Sequence, residues 1–265
     1  MKIKLAIAAL VAVVISTASY AGHSWGVYHW ARTSSPFVLT IVDSTTSTWP
    51  TFVALAIGDW SVSSVLSMHW EQGDTKSRTR RRCKPPGGKV RICNLAYGNT
   101  GWVGLAGISI DSAGHIVSGY TKLNDTYFAT GFYNDDAWRQ SVTCQELGHN
   151  IGLGHQDVDF YNKSLDSCMD YQSDPWKYPN AHDYEQLETI YDHTEDDDGV
   201  DGGGGGNDGC NAPPGKGCNK GEVPGRNGDI GWGMSIGRRG QTETFMRIDP
   251  DGTRHITYVT WVQGH

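Results

Sequence analysis

The sequence predicts an α+β fold, and three observations predict it. Short β-branched apolar runs, broken by turn signals, fill much of the first half. Three stretches, near residues 49–60, 135–151 and 180–191, carry apolar residues at helical spacing. An acidic, glycine-rich segment then sets off a tail with a hairpin pattern. In chain order, Pro36 to Asp43 (PFVLTIVD) reads as a strand. Thr48 offers an N-cap and Pro50 suits a first helical turn, so a helix follows with Trp49, Phe52, Val53, Ala56, Ile57 and Trp60 on its apolar face. Ser63 to Trp70 is a second strand. The basic run Arg78-Thr79-Arg80-Arg81-Arg82 reads as a solvated turn, and Pro85-Pro86-Gly87-Gly88 as another. Val90 to Leu95 is a third strand. Val103 to Ile110 and His115 to Leu123 flank Asp111-Ser112-Ala113-Gly114, the pattern of a hairpin with a four-residue loop. Residues 135–151 form a helix capped by Asp135 or Asp136, with Cys144, Leu147 and Ile151 on one face and Gly152 and Gly154 at its end. The last helix starts at Asn180 and carries Tyr184, Leu187 and Tyr191 as its stripe.

Length and composition bound the function. The chain has 265 residues, 6 cysteines and a formal net charge of −7. Residues 1–21 read as a signal peptide: Lys2 and Lys4 make the basic start, Leu5 to Ile15 the apolar stretch, and Ser19-Tyr20-Ala21 the cleavage site. The mature chain of about 244 residues is long enough for one core-bearing domain, expected at 22–194. An acidic linker at 195–229 and a hairpin tail at 230–265 (Thr244 to Asp249, a turn at Asp251-Gly252, Arg254 to Val262) complete the division. No later run reaches the ~18–20 apolar residues of a membrane span. The acidic balance argues against a nucleic-acid partner, because phosphate binding needs clustered cations. A secreted, extracellular monomer is expected. Its cysteines would pair in an oxidising compartment, and spacing favours Cys83–Cys93, Cys144–Cys168 and Cys210–Cys218. Asp196 to Asp201 offers dense oxygen ligands for Ca²⁺, without a closed twelve-residue loop; a plain tether is the alternative.

The chemistry sits in Cys144-Gln145-Glu146-Leu147-Gly148-His149-Asn150-Ile151-Gly152-Leu153-Gly154-His155-Gln156-Asp157. On a helix, Gln145 and His149 lie one turn apart on the same face, with Glu146 beside them. Gly152 can take a positive φ, turning the chain so that His155 comes back toward His149. Zinc held at that point would keep an open position for a water, lower its pKa, and leave Glu146 to take the proton.

This string resembles the metzincin zinc metallopeptidases, whose helix carries HExxHxxGxxH; here it is QExxHxxGxxH. Ser167-Cys168-Met169-Asp170-Tyr171 resembles that family's Met-turn. The resemblance covers roughly residues 27–194 and is closest to small secreted matrixin-like proteins. It implies a mixed twisted sheet with an active-site helix, a Met-turn and a C-terminal helix. It also implies a peptide-bond hydrolase whose substrate is a protein or peptide lying along an exposed strand of the hairpin region. His149 and His155 would bind zinc, Glu146 would be the base, Met169 the apolar floor, and Tyr171 a partner of the oxyanion. Gln145 stands where the family has a zinc-binding histidine. Three readings follow: Gln145 ligates through its amide oxygen; Asp157 or Tyr171 completes the site; or zinc is lost and the chain is a catalytically inactive secreted binding protein. Residues 22–35 hold no cysteine, so latency through a cysteine in a propeptide is not expected.

Overall fold

The computed structural model describes residues 22–129, 131–195 and 231–262. The elements in order are β1 (Phe37–Asp43), α1 (Trp49–Trp60), β2 (Leu66–Gln72), α2 (Ser77–Arg82), β3 (Lys89–Leu95), β4 (Trp102–Ile110), β5 (Ile116–Asn124), α3 (Asp125–Phe128), a single 3₁₀ turn, α4 (Asp136–Asn150), α5 (Ala181–Ile190), β6 (Met234–Arg239), β7 (Thr242–Ile248) and β8 (Arg254–Trp261). The eight strands of the described residues join one mixed sheet, giving an α+β fold, in the order β2-β1-β3-β5-β4-β8-β7-β6. β1 pairs in parallel with β2 and β3, and β3 with β5. From β5 onward every ladder is antiparallel.

Local chemistry explains most of these elements. β1 alternates Phe37, Leu39 and Ile41 inward with Val38 outward, the period of a half-buried strand. Trp49, Phe52, Val53, Ala56 and Trp60 of α1 are buried, and the Trp60 indole N–H donates to the carbonyl of Cys144 at 3.0 Å, tying α1 to α4. Asp135 caps α4 by accepting from the Trp138 N–H at 2.8 Å. Asn180 and Asp183 form a reciprocal capping box at the start of α5. Asp111 holds the hairpin loop, its Oδ1 accepting from the N–H groups of Ala113 and His115, each at 2.9 Å.

Five expectations need correction. Thr48 occupies the N-cap position of α1 but makes no side-chain cap; Pro50 and the buried face carry that helix. The second strand starts at Leu66, because Ser63 and Ser64 are taken up in the turn that ends α1. The basic run 78–82 is a short helix, since Asp74 accepts from the Lys76 N–H and the Thr79 hydroxyl at its start and Cys83 closes it in the left-handed region. The tail has three strands, not two. It continues the main sheet through β8, so the strand expected to be open for substrate is paired on both sides.

Cys83–Cys93 and Cys144–Cys168 are bonded. Cys210 and Cys218, residues 1–21, the Asp196–Asp201 run and nearly all of 195–229 lie outside the described residues. Among the described residues, no helix is long and apolar enough to cross a membrane. Two disulfides accord with an oxidising compartment.

Candidate active site

α4 delivers the motif. Gln145, Glu146 and His149 are all buried, with Glu146 and His149 fully so. The helix stops where expected: Gly152 adopts φ +96°, and a Cβ there would sit 2.5 Å from the carbonyl oxygen of Tyr28. The chain then runs back along residues 23–24, with the Gly154 N–H donating to the His23 carbonyl and Leu153 bridged to Ser24. This returns His155 to His149, their ring centroids 4.6 Å apart at 73°.

The protonation pattern suits metal binding. His149 Nδ1 lies 2.8 Å from the Leu153 carbonyl. A carbonyl only accepts, so Nδ1 carries the proton and Nε2 the lone pair. His149 Nε2 and His155 Nε2 are both buried with no hydrogen-bond partner, and so is Glu146 Oε2. Burial pushes His149 down to about 4 and His155 well below its ordinary value, so both imidazoles are neutral at pH 7. Burial pushes Glu146 up to about 8, opposed by a hydrogen bond from Thr260. Orphaned buried donor atoms of this kind fit a cation between them.

Met169 is fully buried beneath the helix. A Cβ on Gly148 would lie 2.5 Å from the Met169 sulfur, so only glycine allows helix and turn to approach this closely. The turn is fixed by the Ser167 hydroxyl, which accepts from the Met169 N–H at 2.8 Å and donates to Asp183 at 2.6 Å. The Cys144–Cys168 bond adds a covalent staple between helix and turn.

Gln145 faces both ways. Its amide N–H donates to the Cys168 carbonyl at 3.1 Å, which fixes the amide's orientation and sends Oε1 toward Thr260 Oγ1 at 3.4 Å. Asp157 is not brought in. Its Oδ1 accepts from the Asp159 N–H, and among the described residues His149 and His155 belong to no set of three histidine, cysteine or carboxylate ligand atoms that all lie within 4.8 Å of one another. Tyr171 is near, its ring 6.2 Å from His155, but its hydroxyl lies 2.6 Å from Gln241 Oε1 and 2.9 Å from the Trp261 carbonyl, both on the tail.

Sequence reasoning missed what covers the site. Tyr258 of β8 stacks on His149 with centroids 4.6 Å apart and planes 8° apart, and Trp25 packs edge-on against Tyr258. The Thr260 hydroxyl donates to Glu146 Oε1 at 3.0 Å. Register places Thr260 opposite Gly104 and Tyr258 opposite Ala106, so β8 lies antiparallel along β4 across the whole site. A void of only about 10 Å³ remains beside Gln145, Tyr171 and Thr260, too small for a peptide. A cavity of about 690 Å³ lies elsewhere, between residues 82–85 and the β7–β8 turn. The alternation in Arg254 to Val262 announced a strand; nothing in it announced which edge the strand would join.

No protein-family model matches this chain, and no curated protein matches it.

Proposed function

We propose that this chain is a secreted zinc-dependent endopeptidase held closed by its own C-terminal tail. The observation that carries the reading is the approach of the His149 and His155 rings, each with a buried Nε2 that has no protein partner, beside the buried and unpartnered Glu146 Oε2 on the same helix. His149 and His155 would hold zinc through these nitrogens, with the Gln145 amide oxygen as a weaker, neutral third donor. Zinc, when bound, would polarise the scissile carbonyl and acidify a water. With the tail displaced, returning water and the ion's charge would favour the Glu146 carboxylate, which would then accept that water's proton and pass it to the leaving amine. Met169 and the Cys144–Cys168 bond hold the helix that positions these groups. Tyr171, once freed from Gln241 and Trp261, would have a hydroxyl to offer a developing oxyanion.

A substrate strand would take the place of β8 on β4, since that edge supplies backbone hydrogen bonds in the antiparallel sense. With Thr260 on Glu146 and Tyr258 on His149, the three-stranded tail sits where the substrate would sit. It supplies latency without a propeptide cysteine.

The test inserts a specific cleavage site within residues 196–230 and measures hydrolysis of an unfolded protein before and after cutting. Low activity before, chelator-sensitive activity after, and none for Glu146→Ala in either state is the expected result. A cut chain from which the hairpin has been removed, with zinc bound and no hydrolysis, sinks the enzyme reading and leaves the inactive binding protein. Equal activity before and after cutting sinks the latency.

A further inference from the structure

A second group of ligands gathers about the start and end of the domain. His29 lies ahead of β1, His115 at the entry to β5, and His193 and Glu195 just after α5. His29 Nε2 and His193 Nε2 are 3.3 Å apart. Glu195 Oε1 is 3.6 Å from His29 Nε2, and Glu195 Oε2 is 3.2 Å from His115 Nε2. Among the described residues, His29, His193 and Glu195 are the one set of three whose ligand atoms all fall within 4.8 Å of one another.

The tautomers make this more than proximity. His29 Nδ1 lies 2.9 Å from the Val27 carbonyl, so that nitrogen carries the proton and Nε2 the lone pair. His193 Nδ1 lies 3.0 Å from the Asp192 carboxylate, with the same consequence. His115 Nδ1 faces the Asp111 carboxylate at 3.5 Å. Two imidazole lone pairs then point at each other across 3.3 Å beside a carboxylate oxygen that has no hydrogen-bond partner. Neutral lone pairs repel at that distance unless something positive lies between them. With Zn–N bonds of about 2.0–2.1 Å, two donors on a tetrahedral ion sit about 3.3–3.4 Å apart. Nδ1 tied to a carboxylate or carbonyl while Nε2 is left free is the outer-shell pattern of metal-binding histidines.

The backbone holds the group in place. The Glu195 N–H donates to the Arg32 carbonyl at 2.9 Å, Arg32 Nε donates to the His193 carbonyl at 2.9 Å, and the Ile116 N–H donates to the His29 carbonyl at 2.6 Å. The side chains are partly open to solvent, from 14% exposed at His29 to 36% at His193, so an ion can enter.

We propose that His29, His193 and Glu195 form a second divalent metal site, of zinc-type N₂O chemistry with water in the open position. His115 Nε2 steadies the carboxylate's other oxygen, Oε2. The ion would pin the lead-in to β1 against the exit of α5, where the described domain ends. This site uses none of the α4 residues, and it stands or falls apart from the peptidase reading.

The test uses the full chain, stripped by a chelator, and zinc alone. The double variant His149→Ala, His155→Ala removes the first site. It should still bind one zinc, and Tm should rise by about 5 °C at a hundredfold excess over Kd. Adding His29→Ala and His193→Ala should abolish both effects. Glu195→Gln, which keeps shape and removes charge, should weaken zinc at least tenfold without changing the Tm of the metal-free protein. One zinc in the wild type, lost in the α4 double variant and kept in His193→Ala, overturns the proposal. So does no Tm response in the α4 double variant, the outcome if the cluster is instead a protonated histidine pair balanced by Glu195.

Discussion

The two histidine clusters make opposite uses of the same side chain. His149 and His155 lie six residues apart in one contiguous motif; His149 is fully buried, His155 has its Nε2 closed off from solvent, and a covalent staple and a fully buried methionine lie beside them. His29 and His193 lie 164 residues apart in sequence and meet at a half-open surface held by backbone hydrogen bonds. Burial strips water from the first pair and forces both rings neutral, which readies them for a reactive centre. Partial exposure at the second would let an ion exchange freely, which suits the proposed clamp. A catalytic site needs reorganisation suppressed before the reaction starts, whereas a clamp needs only enough affinity to hold two ends together.

Substitutions can break or sharpen this contrast. The largest effect is expected at Glu146: in the cut, active chain, Glu146→Gln should lower kcat/KM about 10²–10⁴-fold, read on an unfolded protein, while zinc binding at His29 and His193 is untouched. Next, replacing Cys144 and Cys168 by serine opens the loop between α4 and the 167–171 turn and should cost about 3 kcal/mol in urea unfolding. Amide exchange should then quicken in α4 and at 167–171 but not around residue 193; uniform quickening would erase the distinction between the two regions. Third, Gln145→His should tighten zinc at the α4 site at least tenfold. An unchanged affinity would show that position 145 does not face the ion. The smallest effect belongs to Tyr258→Ala. Losing its stack on His149 removes about 0.5–1.5 kcal/mol beyond area burial, so the intact chain should leak a few-fold more activity, with no change once it is cut.

How much of this was legible follows the range of the interactions. α4 could be read because its signals are local: Asp135 at the cap, Cys144, Leu147 and Ile151 on one face, Gly152 at the stop. The approach of His155 to His149 also needs only one positive-φ glycine. The Cys144–Cys168 pairing came from spacing, and it is formed. The fate of the tail was not legible, because period-two alternation in β8 specifies a strand and says nothing about its neighbour. That choice lies in the antiparallel match to β4 and in Tyr258 and Thr260 finding His149 and Glu146. Likewise, His193 reads in sequence as one more surface histidine near a helix end. Its meaning depends on His29, which only the packed fold brings within 3.3 Å. The α2 helix escaped notice for a smaller reason: arginines carry little pattern, and the Asp74 contacts that start it are visible only in three dimensions.

If the proposed closure holds, β8 and a substrate compete for one edge, and because β8 belongs to the same polypeptide its return is unimolecular. Dilution would not relieve it. A free peptide must outcompete a neighbour whose effective concentration, for linked modules, is on the order of millimolar. Weakly bound peptides therefore stay out at any protein concentration. A single cut between the domain and the hairpin changes the order of the reaction. On that reading the three-stranded tail would become an ordinary dissociable inhibitor, and activity should then rise as the cut protein is diluted below the dissociation constant of the pair. A dense local store would remain closed after cutting and open as it spreads.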